Sequence, residues 1–258
     1  EVPLERGNHF YPDLESIPKD ICRRAKLFYV NYPNNPTGQV ATEEFYERLI
    51  TFAQKNKIIL VQDAAYAAIR LDGEKPLSIL SVPGGKSVAV EIHSLSKSYN
   101  MTGWRLGFAV GNEDVIAAMA AVKDNFDAGQ FKPIQLAGCY ALEHPEITRS
   151  MNQIYIRRQA LLCHMLEEKG FQISPSKVTF YLYVPSPVGI KRGKHFRSAE
   201  EFADYLLREK MISVVPWDEA GHYVRFSLTF FAPSVEDEKQ VVEEAARRLQ
   251  DCEFIFEE

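Results

Sequence analysis

Ile58-Ile59-Leu60-Val61 is an apolar run without a polar interruption, and Val88-Ala89-Val90 is a second run of the same kind. Such runs are typical of strands that are buried on both faces of a parallel sheet. A shorter apolar run, Leu27-Phe28-Tyr29-Val30, precedes them and ends at a turn rich in Asn and Pro. A helix is expected after Thr42, between the run that ends at Val30 and the run that begins at Ile58. Strand, helix and strand at this spacing predict a parallel α/β sheet.

The rest of the chain contains several sequence patterns that predict helices and their N-termini. Thr42, followed by two glutamates, predicts a helix N-terminus, because acidic residues interact favourably with the first turn. The stretch from about 112 to 170 is expected to be mostly helical, with one long connecting helix over 154–168. Ser198 with Glu201 predicts a capping box, and Ser234 with an acid three residues later predicts the start of the last helix.

A smaller α/β unit is expected at the C-terminal end. Its predicted strands cover 178–184, 212–215 and 224–228. The predicted fold class is therefore α/β, with a three-layer large domain built on a parallel sheet and a smaller C-terminal α/β domain. We expect the large, cofactor-binding domain to span residues 1–152 and the small domain to span 153–258.

Composition excludes several classes of protein. The 258 residues carry a net charge of −5, which argues against a nucleic-acid partner. No apolar run approaches the ~20 residues of a membrane helix, and no secretory leader opens the chain, so we expect a cytoplasmic protein that binds no membrane. Neither the histidines nor the cysteines have metal-ligand spacing, so no metal site and only free thiols are expected. The four cysteines are Cys22, Cys139, Cys163 and Cys252.

Polar residues follow each predicted strand of the large domain, where parallel α/β sheets bind their ligands. The candidates are Asn35 in Asn-Pro-Thr-Gly, Asp63 with Tyr66 three residues on, Ser94 and Lys97 in Ser-Leu-Ser-Lys, Arg105, and the distant Arg225. Each has an ordinary alternative. Asn35 alone would be a turn former, Asp63 a helix cap and Lys97 a solvated surface charge. Either arginine could be an ion-pair partner at the edge of a strand.

In this order, Asn-Pro-Thr-Gly, Asp-x-x-Tyr, Ser-x-x-Lys-x7-Arg and a late Arg-Phe resemble the class I/II aminotransferases of the fold-type I pyridoxal-phosphate family. The resemblance extends from about Leu27 to Leu249. It implies pyridoxal 5'-phosphate as the cofactor, and an amino acid and a 2-oxo acid as substrates. Lys97 would bind the cofactor covalently and move the substrate α-proton. Asp63 would keep the ring nitrogen protonated.

The resemblance also assigns the remaining residues. Asn35 and Tyr66 would hydrogen-bond the phenolic oxygen of the ring, and Asn35 would also lie next to the substrate. The inner face of the ring would rest on Ala65. The phosphate would be bound by Ser94 and Arg105. Arg225 would clamp the substrate α-carboxylate with its two-pronged donor.

The segments from His93 to Asn112 and from Asp127 to Gln135 are similar to a branch that includes LL-diaminopimelate aminotransferases. The implied substrates are LL-diaminopimelate with 2-oxoglutarate or glutamate, in lysine synthesis. Relatives usually carry Pro-Gly…Phe-Gly before the late arginine, whereas this chain has Pro216-Trp-Asp-Glu-Ala-Gly-His-Tyr223. An aspartate or broad-specificity aminotransferase therefore stays an alternative, as does a lyase or decarboxylase of the same fold.

The chain starts at Glu1 without a methionine, and we expect it to be part of a longer polypeptide. The resemblance implies an N-terminal region that would complete the sheet and the cofactor pocket. A homodimer with shared sites is expected for the full-length form. An inactive, truncated fragment is the alternative.

Overall fold

The computed structural model describes residues 1–127, 129–219 and 221–257. The strands, in chain order, are β1 (Leu27–Asn31), β2 (Ile59–Asp63), β3 (Ala89–Ser94), β4 (Gly107–Gly111), β5 (Tyr181–Pro185), β6 (Gly189–Ile190), β7 (Val215–Trp217), β8 (Tyr223–Ser227) and β9 (Phe254–Ile255). The α-helices are α1 (Lys19–Arg24), α2 (Glu43–Asn56), α3 (Gly85–Val88), α4 (Leu95–Ser98), α5 (Glu113–Phe126), α6 (Lys132–Glu143), α7 (Glu146–Glu168), α8 (Ala199–Lys210) and α9 (Val235–Arg248).

The first sheet has the strand order β1-β2-β3-β4. Strands β1, β2 and β3 run parallel, which confirms the α/β prediction, and β4 is antiparallel to β3. Strand β4 was not predicted, and its Phe108 and Val110 are exposed (38% and 40%). Gly107 lets β4 approach β3 closely, because a Cβ atom there would lie 2.5 Å from the carbonyl oxygen of His93.

Helix α2 packs its apolar face into the core beside this sheet. The Thr42 hydroxyl accepts a hydrogen bond from the backbone N–H of Phe45 (3.1 Å), so the predicted N-cap is confirmed. Leu49 and Ala53 are fully buried and belong to one hydrophobic cluster with Leu60 of β2. The helix that connects two strands therefore also supplies much of the core that positions them.

The predicted helical region consists of α5, α6 and α7. The long helix expected over 154–168 ends at Glu168 as predicted, but it begins earlier, at Glu146. Pro145 precedes its first residue, a position where the missing N–H of proline removes no helical hydrogen bond.

The second sheet is antiparallel, with the order β5-β8-β7, and β6 pairs separately with β9. The strand predicted over 178–184 begins three residues late, at Tyr181. The cause is that 177–179 pair instead with 69–71: Arg70 forms a bridge with Val178, and Thr179 donates its backbone N–H to Ile69. The strand predicted over 212–215 is likewise shifted, to Val215–Trp217.

The helix caps of the C-terminal half differ from the prediction in one case. At α9, Ser234 and Asp237 form a complete capping box. At α8 only half of the predicted box is present: the Ser198 hydroxyl accepts from the Glu201 N–H (3.1 Å). The Glu201 carboxylate binds the backbone N–H and the guanidinium of Arg197 instead of the Ser198 backbone.

Contacts divide the chain into two compact units. Unit 1 comprises Glu1–Asn35, Gln39–Asn152 and Lys177–Thr179, and unit 2 comprises Pro36–Gly38, Gln153–Ser176 and Phe180–Glu258. All cysteines are free, and Cys139 is exposed while the other three are buried. Among the described residues, no helix is both long and apolar enough to cross a membrane.

Candidate active site

The carboxyl ends of β1, β2 and β3 lie side by side in unit 1, and each ends in a polar residue. Asn31 of β1 is in register with Asp63 of β2, and Asp63 is in register with Ile92 of β3. Ser94 follows Ile92 by two residues and ends β3. Residues at the ends of neighbouring strands therefore lie at the same edge of the sheet, the one formed by the carboxyl ends of the parallel strands, where parallel α/β folds bind ligands.

Asn31 links the ends of β1 and β2. Its side-chain amide donates to the carbonyl oxygen of Asp63 (3.0 Å), and its side-chain oxygen accepts from the backbone N–H of Asn35 (2.9 Å). One asparagine thus fixes both the end of β2 and the turn that presents Asn35. Asn35 itself is half-buried.

Asp63 begins a turn that carries three of the predicted residues. Its Oδ1 accepts from the N–H of Ala65 (3.0 Å), an arrangement typical of Asp at the start of a tight turn. The Asp63 side chain is exposed, whereas Tyr66 is buried, with 6% of its surface accessible. Ala65 is half-buried and lies between them in sequence.

Ser94 caps the short helix α4, which carries Lys97. The Ser94 hydroxyl accepts from the N–H of Ser96 (3.2 Å). The backbone on both sides of Lys97 is held by threonine hydroxyls: Thr102 donates to the carbonyl of Ser96 (3.0 Å), and Thr148 donates to the carbonyl of Ser98 (2.5 Å). The Lys97 side chain is half-buried.

Apolar packing around Leu95 also holds α4 in place. Leu95 is 2% exposed and forms a cluster with Met101 and Ala141, against which Leu106 packs. Helix α6 comes close at Gly138, where a Cβ atom would lie 2.4 Å from a methyl group of Leu106. The position of Lys97 is therefore set by a small core as well as by hydrogen bonds.

Arg105 lies just before β4 and not within a strand. It has a left-handed backbone conformation with φ of 53°, which costs a non-glycine residue about 1 kcal/mol. Its Nη1 donates to the carbonyl of Thr102 (3.0 Å), and the side chain is exposed. This conformation lets the chain turn from the 3-10 helix Thr102–Trp104 into β4, next to Ser94.

Arg225, the remaining predicted residue, belongs to unit 2. It lies on β8, in register with Tyr183 of β5 and Val215 of β7. The guanidinium carbon lies 4.0 Å from the ring centre of Tyr181 and 5.8 Å from that of Trp217.

Other titratable residues on or near β3 are buried or form hydrogen bonds within the protein. The buried carboxylate of Glu91 accepts from the N–H of Ile79 (2.8 Å) and pairs with Nε2 of His93 (3.0 Å). Burial raises the pKa of Tyr46 far above its ordinary value, and the nearby Glu91 raises it further. Among the described residues, no group of three His, Cys, Asp or Glu is placed to hold a metal.

The statistical model of the family Aminotransferase class I and II matches residues 1–249. This chain belongs to the class I and II aminotransferases. It is 54% identical to the LL-diaminopimelate aminotransferase of Methanocaldococcus jannaschii, over 99% of this chain and 63% of that protein. It is 50% identical to the enzyme of the same name from Methanococcus maripaludis, over 99% of this chain and 62% of that protein. The chain thus spans somewhat less than two thirds of these relatives.

Solved structures share the fold of this chain. Apo-BacF from Bacillus subtilis matches with a TM-score of 0.89 and 35% identity, over 100% of this chain and 66% of that one. A double mutant of Thermus thermophilus aspartate aminotransferase matches with a TM-score of 0.80 and 31% identity, over 96% of this chain and 63% of that one. These similarities confirm the predicted α/β architecture.

The residues that support the site, Asn31, Thr102 and Thr148, are not among those predicted from the sequence. Asn31 is the last residue of β1 as Asp63 is the last residue of β2, and it directly follows an apolar run, so the sequence held a signal for it. Thr102 and Thr148 had no comparable signal. Thr148 is 50 residues from its partner Ser98, and a threonine within a helix predicts nothing on its own.

Proposed function

We propose that this chain carries the cofactor site and the catalytic residues of a pyridoxal-phosphate-dependent aminotransferase. The observation that carries the proposal is the register of β2 with β3, which brings the carboxylate of Asp63 and the segment from Ser94 to Lys97 to one edge of the sheet. Membership of the class I and II aminotransferases supports the same conclusion. Unit 1 is the proposed cofactor-binding domain.

The residues at this edge suit pyridoxal 5'-phosphate chemically. The cofactor presents an aldehyde, a ring nitrogen and a phosphate, for which the edge offers an amine on Lys97 and a carboxylate on Asp63. A hydroxyl on Ser94 and a guanidinium on Arg105 suit the phosphate. When bound, the cofactor supplies an electron sink that stabilises negative charge at the substrate Cα.

The side chains then have distinct tasks. The Lys97 amine would hold the cofactor covalently until the amino-acid substrate displaces it, and the freed amine would then take the proton from the substrate Cα and later return a proton. Asp63 keeps a proton on the ring nitrogen through a charge-assisted hydrogen bond. Asn35 and Tyr66 would hydrogen-bond the phenolic oxygen, and Ala65 would provide the small surface next to the ring.

The proposed amino donor is LL-diaminopimelate, with 2-oxoglutarate as the amino acceptor, in lysine synthesis. The names of the relatives from Methanocaldococcus jannaschii and Methanococcus maripaludis support this choice. Arg225 would bind the α-carboxylate, because its planar fork matches two carboxylate oxygens. Asn35 would contact the substrate from the cofactor side.

We place the enzyme in the cytoplasm as a homodimer. Large apolar side chains that are exposed on α5 and α6 support the dimer, since such surfaces often mark protein interfaces. They include Val122 (67% exposed), Phe126 (88%) and Tyr140 (62%).

The test uses the full-length protein incubated with pyridoxal phosphate. Wild type should acquire the visible absorption band of the bound cofactor, and should form glutamate from LL-diaminopimelate and 2-oxoglutarate. Lys97→Ala should lose both, whereas Lys86→Ala, at an exposed lysine of α3, should keep both. A full band in Lys97→Ala contradicts the lysine assignment. Release of ammonia or carbon dioxide without glutamate would indicate a lyase or decarboxylase instead.

A further inference from the structure

One face of the β5-β8-β7 sheet is aromatic. Leu182, Val184, Val224 and Phe226 point to the opposite face and are buried. Since side chains alternate along a strand, the remaining residues share the other face. They include four aromatic residues and one arginine: Tyr181 and Tyr183 of β5, Tyr223 and Arg225 of β8, and Trp217 of β7. Arg225 is the cation within this aromatic face.

The rings of this face pack in two groups. Tyr183 and Tyr223 stack on each other, with ring centres 4.5 Å apart and planes 10° from parallel. Tyr181 is a diagonal neighbour of Arg225 across the β5–β8 pair and lies with its ring under the guanidinium, 4.0 Å from Cζ. Trp217 approaches the same Cζ to 5.8 Å from β7. Both distances are within the range of attractive cation–π contacts.

We propose that Tyr181 is a positioning residue that orients the Arg225 guanidinium for a substrate carboxylate, with Trp217 as a weaker second contact. This inference rests on the proposed function, in which Arg225 binds the α-carboxylate. A ring beneath the guanidinium contacts its π face, whereas the N–H donors of the guanidinium point outward in its plane. Stacking therefore restricts the orientation of the fork without using the donors that a carboxylate needs.

The physical effect is preorganisation. An arginine side chain has many rotamers, and freezing them on binding weakens affinity. A contact that already holds the guanidinium lowers this loss before the substrate arrives. Removing the ring should therefore weaken binding of carboxylates by about tenfold, while the reaction of bound substrate is little changed.

The test compares Tyr181→Leu, which removes the ring, with Tyr181→Phe, which keeps it. In the full-length enzyme loaded with pyridoxal phosphate, we expect Tyr181→Leu to raise KM for the amino acid about tenfold with kcat nearly unchanged. Tyr181→Phe should retain the wild-type KM. Calorimetric titration with 2-oxoglutarate, without an amino donor, should give the same ranking of dissociation constants in the absence of turnover.

A double-mutant cycle separates positioning from general loss of structure. In an Arg225→Ala background, Tyr181→Leu should have no further effect on the dissociation constant of 2-oxoglutarate. A full additional loss in that background overturns the inference, as does a wild-type KM in Tyr181→Leu. If Arg225→Ala alone leaves KM unchanged, the assigned role of Arg225 in the proposed function has failed. If Arg225→Ala raises KM and Tyr181→Leu does not, only the positioning role has failed.

Discussion

Asp63 combines a structural and a proposed catalytic role in one side chain. Its Oδ1 accepts from the N–H of Ala65, which shapes the turn, and its charge is available to a cofactor nitrogen in the proposed function. An asparagine oxygen could accept the same hydrogen bond, but an amide carries no charge. The two roles can therefore be separated by a single substitution.

We expect Asp63→Asn to fold normally and to lose activity. The turn keeps its acceptor, so the melting temperature should stay close to that of wild type. The transamination rate should fall on the order of 10²-fold or more, as is found when one preorganised electrostatic contact is removed. Steady-state kinetics with LL-diaminopimelate and 2-oxoglutarate measures the change.

Asp13→Asn is the matched control. Asp13 Oδ1 accepts from the N–H of Glu15 (3.0 Å) in an equivalent turn, and the residue has no role in the proposed site. Asp13→Asn should therefore retain the wild-type rate. A wild-type rate in Asp63→Asn would contradict the role given to the carboxylate.

At the scale of elements, the N-terminus of α8 is held by a residue from another element. Asp218, in the turn between β7 and β8, accepts from the backbone N–H groups of Ala199 (2.7 Å) and Glu200 (3.1 Å). His222 Nδ1 contacts the same carboxylate at 2.7 Å. With Ser198 on the next N–H, the first turn of α8 is satisfied by two side chains. The turn between β7 and β8 thus supplies a cap for α8.

Asp218→Ala should lower the free energy of unfolding by about 1 kcal/mol at pH 7. Burial tends to raise the pKa of Asp218, but hydrogen bonds from His222 and the two backbone N–H groups outweigh it, so the pKa lies below the ordinary 3.8. The folded state therefore favours the charged form, and its contribution is present above pH 3.8. It is lost as the pH falls through the lower, folded-state pKa.

Urea denaturation of wild type and Asp218→Ala at several pH values measures this difference. The difference in the free energy of unfolding between the two proteins should become smaller at acidic pH. Asp204→Ala is the control, since Asp204 pairs with Arg208 on the exposed side of the same helix and caps nothing. An equal loss in both variants, or a gap that widens in acid, contradicts the capping role.

Local signals were sufficient to predict several elements and insufficient for others. Thr42 and Ser234 predict the starts of α2 and α9, because an N-cap side chain accepts a hydrogen bond from the backbone N–H only three residues later. The true partner of Glu201 is Arg197, and sequence spacing did not distinguish it from the expected Ser198 backbone. Strand β4 lacks a long apolar run, and its pairing depends on how closely Gly107 can approach β3.

At the scale of the whole molecule, a buried charge cluster organises unit 2. Arg158 of α7 lies 3.1 Å from the carboxylate of Glu238 in α9, and both side chains are at most 10% exposed. The Arg158 guanidinium also donates to the carbonyls of Leu228 (3.0 Å), Phe230 (2.7 Å) and Ala232 (3.2 Å), which follow β8. One arginine therefore joins two helices to the segment after the strand that carries Arg225.

Glu238→Ala should destabilise unit 2 strongly. The substitution leaves the Arg158 charge buried without its carboxylate, which typically costs about 3 kcal/mol or more. Glu236→Ala, at an exposed residue of the same helix, should change the free energy of unfolding by less than about 0.5 kcal/mol. Denaturant titration followed by circular dichroism compares them. Similar midpoints for the two variants would contradict the importance of the cluster.

Long-range contacts of this kind also explain why the site itself was only partly predictable. The polar residues at the strand ends could be predicted from the sequence because Asn35, Asp63 and Ser94 each lie within five residues of the end of an apolar run. Arg158 and Glu238 are 80 residues apart, and nothing in either local sequence indicates the other. The same holds for Thr148 and Ser98.

The hydrogen bonds from Thr102 and Thr148 to the carbonyls on either side of Lys97 have a consequence for protein engineering. With the peptide backbone immobilised on either side, the amine can travel only by rotation about the bonds of its own side chain. Successive helical residues project about 100° apart. A lysine transplanted to position 96 or 98 would therefore emerge in another direction, and shifting the amine by one place should not restore a Lys97→Ala protein.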